Sequence, residues 1–330
     1  MTPRPRVFVA RVIPEAGLRP ILEACDARVW EADAPPPRAD LLAAVAGCDG
    51  VLTMLTDRVD DAFLDAAGPG LRVVSQMAVG YDNIDVAACT RRGVPVGNTP
   101  GVLTDTTADL AFALILAAAR RLPEGERLVR GGGWRTWSPT IQLGVDVHGA
   151  TLGIVGFGRI GQAVARRATG FGMTVLYSSR SRVSRAIETA VNATWLPFEE
   201  VLARSDFVSL HVDLNLSTRG LINADALRRM KPSAILVNTT RGPVVDGLAL
   251  FDALRDGVIR AAALDVTDPE PIPMDDPLLT LDNCLIVPHV GSATEATRGK
   301  MASMAAANLI AGVRGERLPN VVNPEVYEQG

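Results

Sequence analysis

A chain of 330 residues is long enough for two domains. With 48% hydrophobic and 21% charged residues it reads as a globular protein, and a net charge of −4 offers no basic field for nucleic acid. Cys25, Cys48, Cys89 and Cys284 are far apart with no CxxC pair, so they read as free core thiols and exclude a disulfide frame and a metal site. The N-terminal stretch has too short an apolar run for a signal peptide, and the longest apolar run, Leu110–Ala119, is half of the roughly 20 residues that span a bilayer. A cytoplasmic protein without a membrane partner is expected.

From residue 6 to 98, short apolar strands alternate with helical patterns. Strands are predicted at Arg6–Ala10, Ala27–Glu31, Gly50–Leu55, Leu71–Met77 and Val94–Val96. Helices are predicted at Glu15–Cys25, Ala39–Ala46, Asp60–Ala67 and Ile84–Arg92. Such alternation predicts a parallel sheet covered on both faces. A long apolar helix, capped by Thr104 or Asp105, follows to about Arg121, and its apolar faces suggest burial between two domains. The stretch from Pro123 to Val147 reads as an irregular arm carrying Trp134 and Trp137.

At Thr151–Gly161 the sequence is TLGIVGFGRIG, an apolar strand, a glycine turn and the start of a helix. Gly156 permits the sharp turn, Gly158 lets a pyrophosphate approach the backbone, and Gly161 lets helix and strand pack closely. The helix N-terminus offers free N–H groups to phosphate. Strands are then predicted near Thr174–Tyr177, Phe207–His211, Ala234–Thr239, Ala261–Val266 and Leu285–Val287, with helices at Phe198–Arg204, Ala224–Met230 and Gly247–Arg255. Ser292-Ala293-Thr294-Glu295 has the form of a capping box opening a last helix to about Arg314. The expected architecture is α/β, with two doubly wound parallel-sheet, Rossmann-like domains. Residues 1–99 and 293–330 make a discontinuous, flavodoxin-like substrate domain, and residues 100–292 an NAD(P)-binding domain with a dimerisation arm at 121–150.

Arg241 follows a predicted strand and Asp265 and His289 end theirs, at the edge where open parallel sheets bind ligands, and Glu270 follows Asp265 on a proline-flanked loop. The segments VGYDNID (79–85), NTPGVLTDTTADLA (98–111), GIVGFGRIGQAVA (153–165), LVNTTRGPVVD (236–246), AALDVTDPEP (262–271) and PHVGSAT (288–294) lie in order along the chain. With these, the chain resembles the D-isomer-specific 2-hydroxyacid dehydrogenases over nearly its whole length, and among them the glyoxylate/hydroxypyruvate reductases. The resemblance implies a catalytic triad of Arg241, Glu270 and His289. Arg241 would grip the carboxylate of a small 2-keto acid and polarise its ketone, with Val79, Gly80 and Ser292 as further substrate contacts. His289 would give the proton while Glu270 holds the imidazolium. Met77, Leu103 and Trp137 are further candidates for the pocket wall.

The implied cofactor contacts are Thr104, Gly156, Gly158, Arg159, Ile160, Ser179, Arg180, Ser181, His211, Thr239, Asp265, His289 and Gly291, with Asp265 accepting from the nicotinamide carboxamide. Where relatives read HCPLT from the end of the Phe207–His211 strand, this chain reads HVDLN (211–215), while His148 reads as a surface residue. The acid expected about 20 residues after the glycine loop is replaced by Ser179, with no carboxylate before Glu188. Arg180 and Arg182, with Ser179 and Ser181, suit a 2′-phosphate, so NADPH is expected over NADH. A homodimer is expected, with no metal. The alternatives are a dehydrogenase of D-lactate or other 2-keto acids, and a nicotinamide-sensing binding protein on the same scaffold.

Overall fold

The computed structural model describes residues 3–328, which form two compact units, residues 3–103 with 293–328 and residues 104–292. The first unit runs β1 (Arg6–Val9), α1 (Glu15–Ala24), β2 (Asp26–Val29), α2 (Arg38–Val45), β3 (Gly50–Thr53), α3 (Asp61–Ala67), β4 (Val73–Gln76), α4 (Val86–Arg91) and β5 (Val96–Gly97). The second opens with α5 (Thr104–Ala119), α6 (Leu122–Arg130), β6 (Thr151–Val155), α7 (Arg159–Thr169), β7 (Thr174–Ser178), α8 (Arg185–Ala190) and β8 (Ala193–Trp195). It continues with α9 (Phe198–Arg204), β9 (Phe207–Leu210), α10 (Ala224–Arg229), β10 (Ile235–Asn238), α11 (Gly247–Arg255), β11 (Ala261–Leu264) and β12 (Cys284–Ile286). The chain then returns to the first unit in α12 (Glu295–Val313).

Both sheets are wholly parallel, so both are double-faced α/β layers. The first has the order β2-β1-β3-β4-β5, the flavodoxin-like order. The second has seven strands, β12-β11-β10-β9-β6-β7-β8. Strands β3, β4, β9, β10 and β11 are buried at every residue, as apolar runs without alternation require when helices cover both faces. In the second sheet the chain moves outward in opposite directions from the neighbours β6 and β9, and a crevice opens there at their carboxyl ends.

Small residues set the packing of the first unit. A Cβ at Gly17 of α1 would lie 2.4 Å from the Ala302 carbonyl oxygen of α12, and one at Gly312 would lie 2.4 Å from the Val73 side chain of β4. Backbone meets backbone in the first case, so α12 lies unusually close to α1. The buried Asn308 of α12 donates to Asn98 O (2.9 Å) and accepts from Asn320 N (3.0 Å), tying the returning chain to the end of β5.

The elements differ from expectation in four places. The arm is helical over Leu122–Arg130, with Pro123 in the first turn beside Glu124 and with Arg127 and Arg130 in the last, charges that suit the helix dipole. Only 131–150 lacks regular structure. Ala193–Trp195, three residues long, adds an edge strand preceded by the short α8. The cap of α12 is Thr294, whose hydroxyl accepts from Thr297 N, rather than Ser292. Thr104 is the first helical residue of α5, and the buried residues of α5 pack on the second unit's own core. Cys25, Cys48 and Cys89 are buried and Cys284 half-buried, all as free thiols. Among the described residues no helix is long and apolar enough to cross a membrane, and no cluster of three His, Cys, Asp or Glu is placed to hold a metal.

Gly17→Ala is expected to lower the stability of the protein by about 2 kcal/mol through the backbone collision with α12, outweighing the roughly 1 kcal/mol that alanine gains over glycine within a helix. A thermal melt with an unchanged or raised midpoint would show that the two helices can separate at no cost.

Candidate active site

The second unit gathers its functional groups on turns that leave the carboxyl ends of β6, β7, β9, β10, β11 and β12. After β6, Gly156 takes φ 92°, a conformation that disfavours side chains, and its missing Cβ would lie 2.4 Å from His211 O at the end of β9. At Gly158, the residue before α7, a Cβ would meet nothing within 4 Å, so the backbone stands open to a ligand. At Gly161 a Cβ would lie 2.3 Å from Gly156 O, so glycine here lets α7 start against its own loop. Arg159 is exposed and Ile160 half-buried in the first turn of α7.

On the neighbouring strand, His211 Nε2 is 2.8 Å from Ser209 Oγ. Burial pulls the His211 imidazole down from 6.5 to about 3, so it is neutral beside the glycine loop at physiological pH. The departure that follows closes on itself, with Thr218 Oγ donating to Asp213 O (2.6 Å) and accepting from Asn215 N (2.9 Å). His148 is exposed.

After β10, the Asn238 side chain organises the turn that carries Arg241. Its Oδ1 accepts from Thr240 N (3.0 Å) and Thr240 Oγ1 (2.7 Å), and its Nδ2 donates to Arg241 O (3.0 Å). Gly242 follows, where a Cβ would lie 1.9 Å from Thr267 O, so the Arg241 turn rests directly on the loop that leaves β11. Thr239 Oγ1 is buried and has no hydrogen-bond partner among the described residues.

Asp265, at the end of β11, is 2% exposed. Its oxygens accept from Val290 N (2.6 Å) and Gly291 N (2.9 Å). Burial pushes its carboxyl up from the ordinary value, against the pull of those N–H groups and of His289. The His289 N–H donates to Asp265 O (2.9 Å), and His289 itself sits at φ 51°, in the left-handed region. Its Nδ1 is 2.9 Å from Glu270 Oε2, while Glu270 Oε1 accepts from Thr267 N (3.2 Å). With Nδ1 committed to a carboxylate, Nε2 is left as the nitrogen for proton exchange. The structure thus brings Arg241, Glu270 and His289 onto adjoining turns of one sheet edge. Gly291 and the half-buried Ser292 continue the same segment, and Thr107 of α5 donates to Gly291 O (3.1 Å).

The turn after β7 departs from expectation. Ser179 Oγ donates to Ser181 O (2.7 Å), and Arg180 is exposed. Arg182 is already engaged, its Nε and Nη2 each binding a Glu188 oxygen at 2.8 Å, so most of its charge is offset before a phosphate arrives. Glu188, nine residues beyond Ser179, is thus folded against the turn by α8, a carboxylate that sequence distance had set aside.

In the first unit, by itself, Val79 and Gly80 are half-buried at the end of β4. Their carbonyls are held from behind, Val79 O by Asn98 Nδ2 (2.9 Å) and Gly80 O by Gln76 Nε2 (3.3 Å). Gln76 also bonds Thr53 (2.7 Å) and Asn83 (2.6 Å) in a buried polar network absent from the sequence reading, where lone amides on strands carry no signal. Met77 packs into the apolar core of this unit rather than standing clear of it.

Residues 112–291 match the family model of the D-isomer specific 2-hydroxyacid dehydrogenase, NAD binding domain. The chain belongs to this family. A glyoxylate reductase of Korarchaeum cryptofilum is 54% identical over 98% of both chains, and one of Thermococcus litoralis is 49% identical over 98% of both. The crystal structure of a Thermus thermophilus protein matches with a TM-score of 0.90 and 45% identity over 96% of this chain and 99% of that one. An NADPH-dependent glyoxylate/hydroxypyruvate reductase of Sinorhizobium meliloti, crystallised with NADP and malonate, matches with a TM-score of 0.84 and 32% identity over 97% of both chains. As in other dehydrogenases of the family, a nicotinamide dinucleotide is the implied cofactor, and the residues present fit one. The backbone is open at Gly158, the first turn of α7 presents N–H groups, and the buried Thr239 hydroxyl lacks a partner among the described residues.

Because His211 is neutral when folded and protonates near 6.5 when unfolded, the unfolded chain binds the extra proton below that pH. Its contribution to stability is full above about 6.5 and is lost as pH falls toward 3. His211→Gln should therefore remove about 2 kcal/mol of the stability that the wild type loses between pH 7.5 and pH 5. Denaturant titrations at the two pH values measure it, and parallel losses in both proteins would reject the assignment.

Proposed function

We propose that the protein is an NADPH-preferring reductase of small 2-keto acids, converting glyoxylate to glycolate and hydroxypyruvate to D-glycerate. The observation that carries this reading is the His289–Glu270 pair, 2.9 Å apart at the strand ends next to the Arg241 turn. The relatives named glyoxylate reductase support the choice of substrate.

Gly156, Gly158, Arg159 and Ile160 would hold the pyrophosphate, and Ser179, Arg180 and Ser181 the adenosine end. Thr104, His211, Thr239, Asp265 and Gly291 would line the remainder. When bound, the nicotinamide supplies the hydride. Arg241 presents a planar, permanently charged fork to the substrate carboxylate and draws electron density from the adjacent ketone. On the first unit, the Val79 and Gly80 N–H groups are the proposed carboxylate donors, aimed by the amides that hold their carbonyls. His289 Nε2 gives a proton to the oxygen that becomes the hydroxyl, and Glu270 stabilises the charge on the imidazolium before transfer. Asp265 acts on His289 through the backbone of Val290 and Gly291, which it grips with both oxygens; the remaining lone pairs are what it can offer a carboxamide.

The preference for NADPH rests on Arg180 and the serines beside it, without a carboxylate free to repel a 2′-phosphate, since Glu188 is neutralised by Arg182. A homodimer is supported by the arm, where Leu122, Val129, Trp134, Trp137 and Leu143 are exposed, Trp137 at 76%.

Following 340 nm absorbance with glyoxylate and hydroxypyruvate, kcat/KM should be higher with NADPH than with NADH; the reverse order would reject the cofactor preference, and no turnover of any small 2-keto acid would reject the reductase. His289→Ala should lower kcat by at least about a hundredfold with little change in NADPH affinity. Arg241→Ala should raise the keto-acid KM steeply and lower kcat as well, and a loss confined to NADPH binding would move Arg241 to the cofactor. Sedimentation equilibrium should return twice the chain mass, and a monomer mass at micromolar concentration would dismiss the arm as an interface.

A further inference from the structure

The turn between β7 and α8 is held by a polar brace, built from the buried Glu188 and Tyr177 and the exposed Arg182, that the proposed chemistry does not use. Glu188 is 7% exposed, on α8. Its two oxygens take the Arg182 fork, and Oε1 also accepts from Tyr177 Oη (2.8 Å). The Arg182 fork, and then the Tyr177 hydroxyl, hold the Glu188 carboxyl below its usual range, so it is ionised. Tyr177, fully buried on β7, accepts in turn from Val183 N (3.1 Å). The turn is thereby fastened at the Arg182 side chain and at the Val183 backbone. Ser179 Oγ to Ser181 O closes its near end, and Trp195 Nε1 reaches Ser179 O at 3.4 Å. Finally, the Tyr177 ring stacks on Phe157, with centroids 4.0 Å apart and planes at 22°. Phe157 lies inside the glycine loop. One set of side chains therefore links the turn that carries Arg180 to the loop that carries Gly156 and Gly158.

We propose that Glu188 is the positioning residue for recognition of a 2′-phosphorylated adenosine, holding the Arg180 turn at a fixed place relative to the glycine loop through Arg182, Tyr177 and Phe157. The inference rests on the NADPH reading above and deepens it. A 2′-phosphate and a pyrophosphate on one ligand stand at a fixed spacing, so the two protein segments that meet them must share a frame. An Arg–carboxylate fork is planar and directional, and supplies such a frame where the serines of the turn alone do not. Glu188 also engages the Arg182 Nε and Nη2, leaving Arg180 as the cation of the turn whose guanidinium is not tied to that carboxylate.

The test is binding of 2′,5′-ADP and 5′-AMP, which differ only by the 2′-phosphate, by isothermal titration calorimetry. The wild type should bind 2′,5′-ADP more tightly. Glu188→Gln should weaken 2′,5′-ADP at least about tenfold and 5′-AMP by no more than about twofold, erasing most of the preference. Tyr177→Phe keeps the ring on Phe157, loses only the hydroxyl, and should give a smaller loss of the same kind. Equal weakening of both ligands by Glu188→Gln, or of neither, overturns the proposal by making the brace merely structural. If Glu188→Gln does not fold, undiminished discrimination in Tyr177→Phe overturns it instead. A wild type that binds both ligands equally shows that the NADPH reading itself has failed, and the assignment of Glu188 falls with it.

Discussion

A carboxylate buried at the end of a parallel strand must find donors or lose its charge, and Asp265 finds them in the Val290 and Gly291 N–H groups. That requirement joins the end of β11 to the segment leaving β12. It also accounts for His289 at φ 51°, a backbone state that costs a side-chain-bearing residue roughly 1–2 kcal/mol. Two hydrogen bonds to the carboxyl, at roughly 0.5–1.5 kcal/mol each, offset that cost. The third bond, from His289 N to Asp265 O, completes the clamp, and the imidazole is turned so that Nδ1 meets Glu270. Without the buried acid, neither the unusual backbone nor the direction of the ring would be expected to persist.

The same logic recurs along the sheet edge. Asn238 folds the turn after β10 onto itself and so presents Arg241, and Tyr177 with Glu188 fixes the turn after β7. In the first unit Gln76 and Asn98 hold the carbonyls of Val79 and Gly80. Parallel strands end in loops whose backbone groups lack ladder partners. Here polar side chains on the strands, or just beyond them, answer those groups and stiffen the turns. At Gly156 against His211 and at Gly242 against Thr267, glycine lets backbone touch backbone.

Much of this was legible in the chain itself. Gly156, Gly158 and Gly161 declare themselves because sterics demand glycine at a fixed spacing after a strand, and the fully apolar strands announce a sheet covered on both faces. Arg241, Asp265 and His289 stand out as ionisable residues at strand ends, and Glu270 as a carboxylate on the loop that follows Asp265. The helix at Leu122–Arg130 was hidden by Gly125 and by the glycine-rich run after it, although its charges follow the dipole. Ala193–Trp195 was hidden because three residues carry no measurable period. Arg182 was read as a phosphate ligand because periodicity cannot say that α8 brings Glu188 back over the turn.

The sequence by itself determined the two parallel α/β layers, the glycine loop and which charged residues lie at strand ends, since these depend on local sterics and on short-range hydrophobic pattern. Only the tertiary structure decided pairings such as Asp265 with backbone N–H groups and Arg182 with Glu188; the His289–Glu270 pair was already implied by the resemblance. The reason is physical. A side chain's partner is set by which turns the sheet order places side by side, and strand order is a property of the packed layers that no local stretch of sequence encodes.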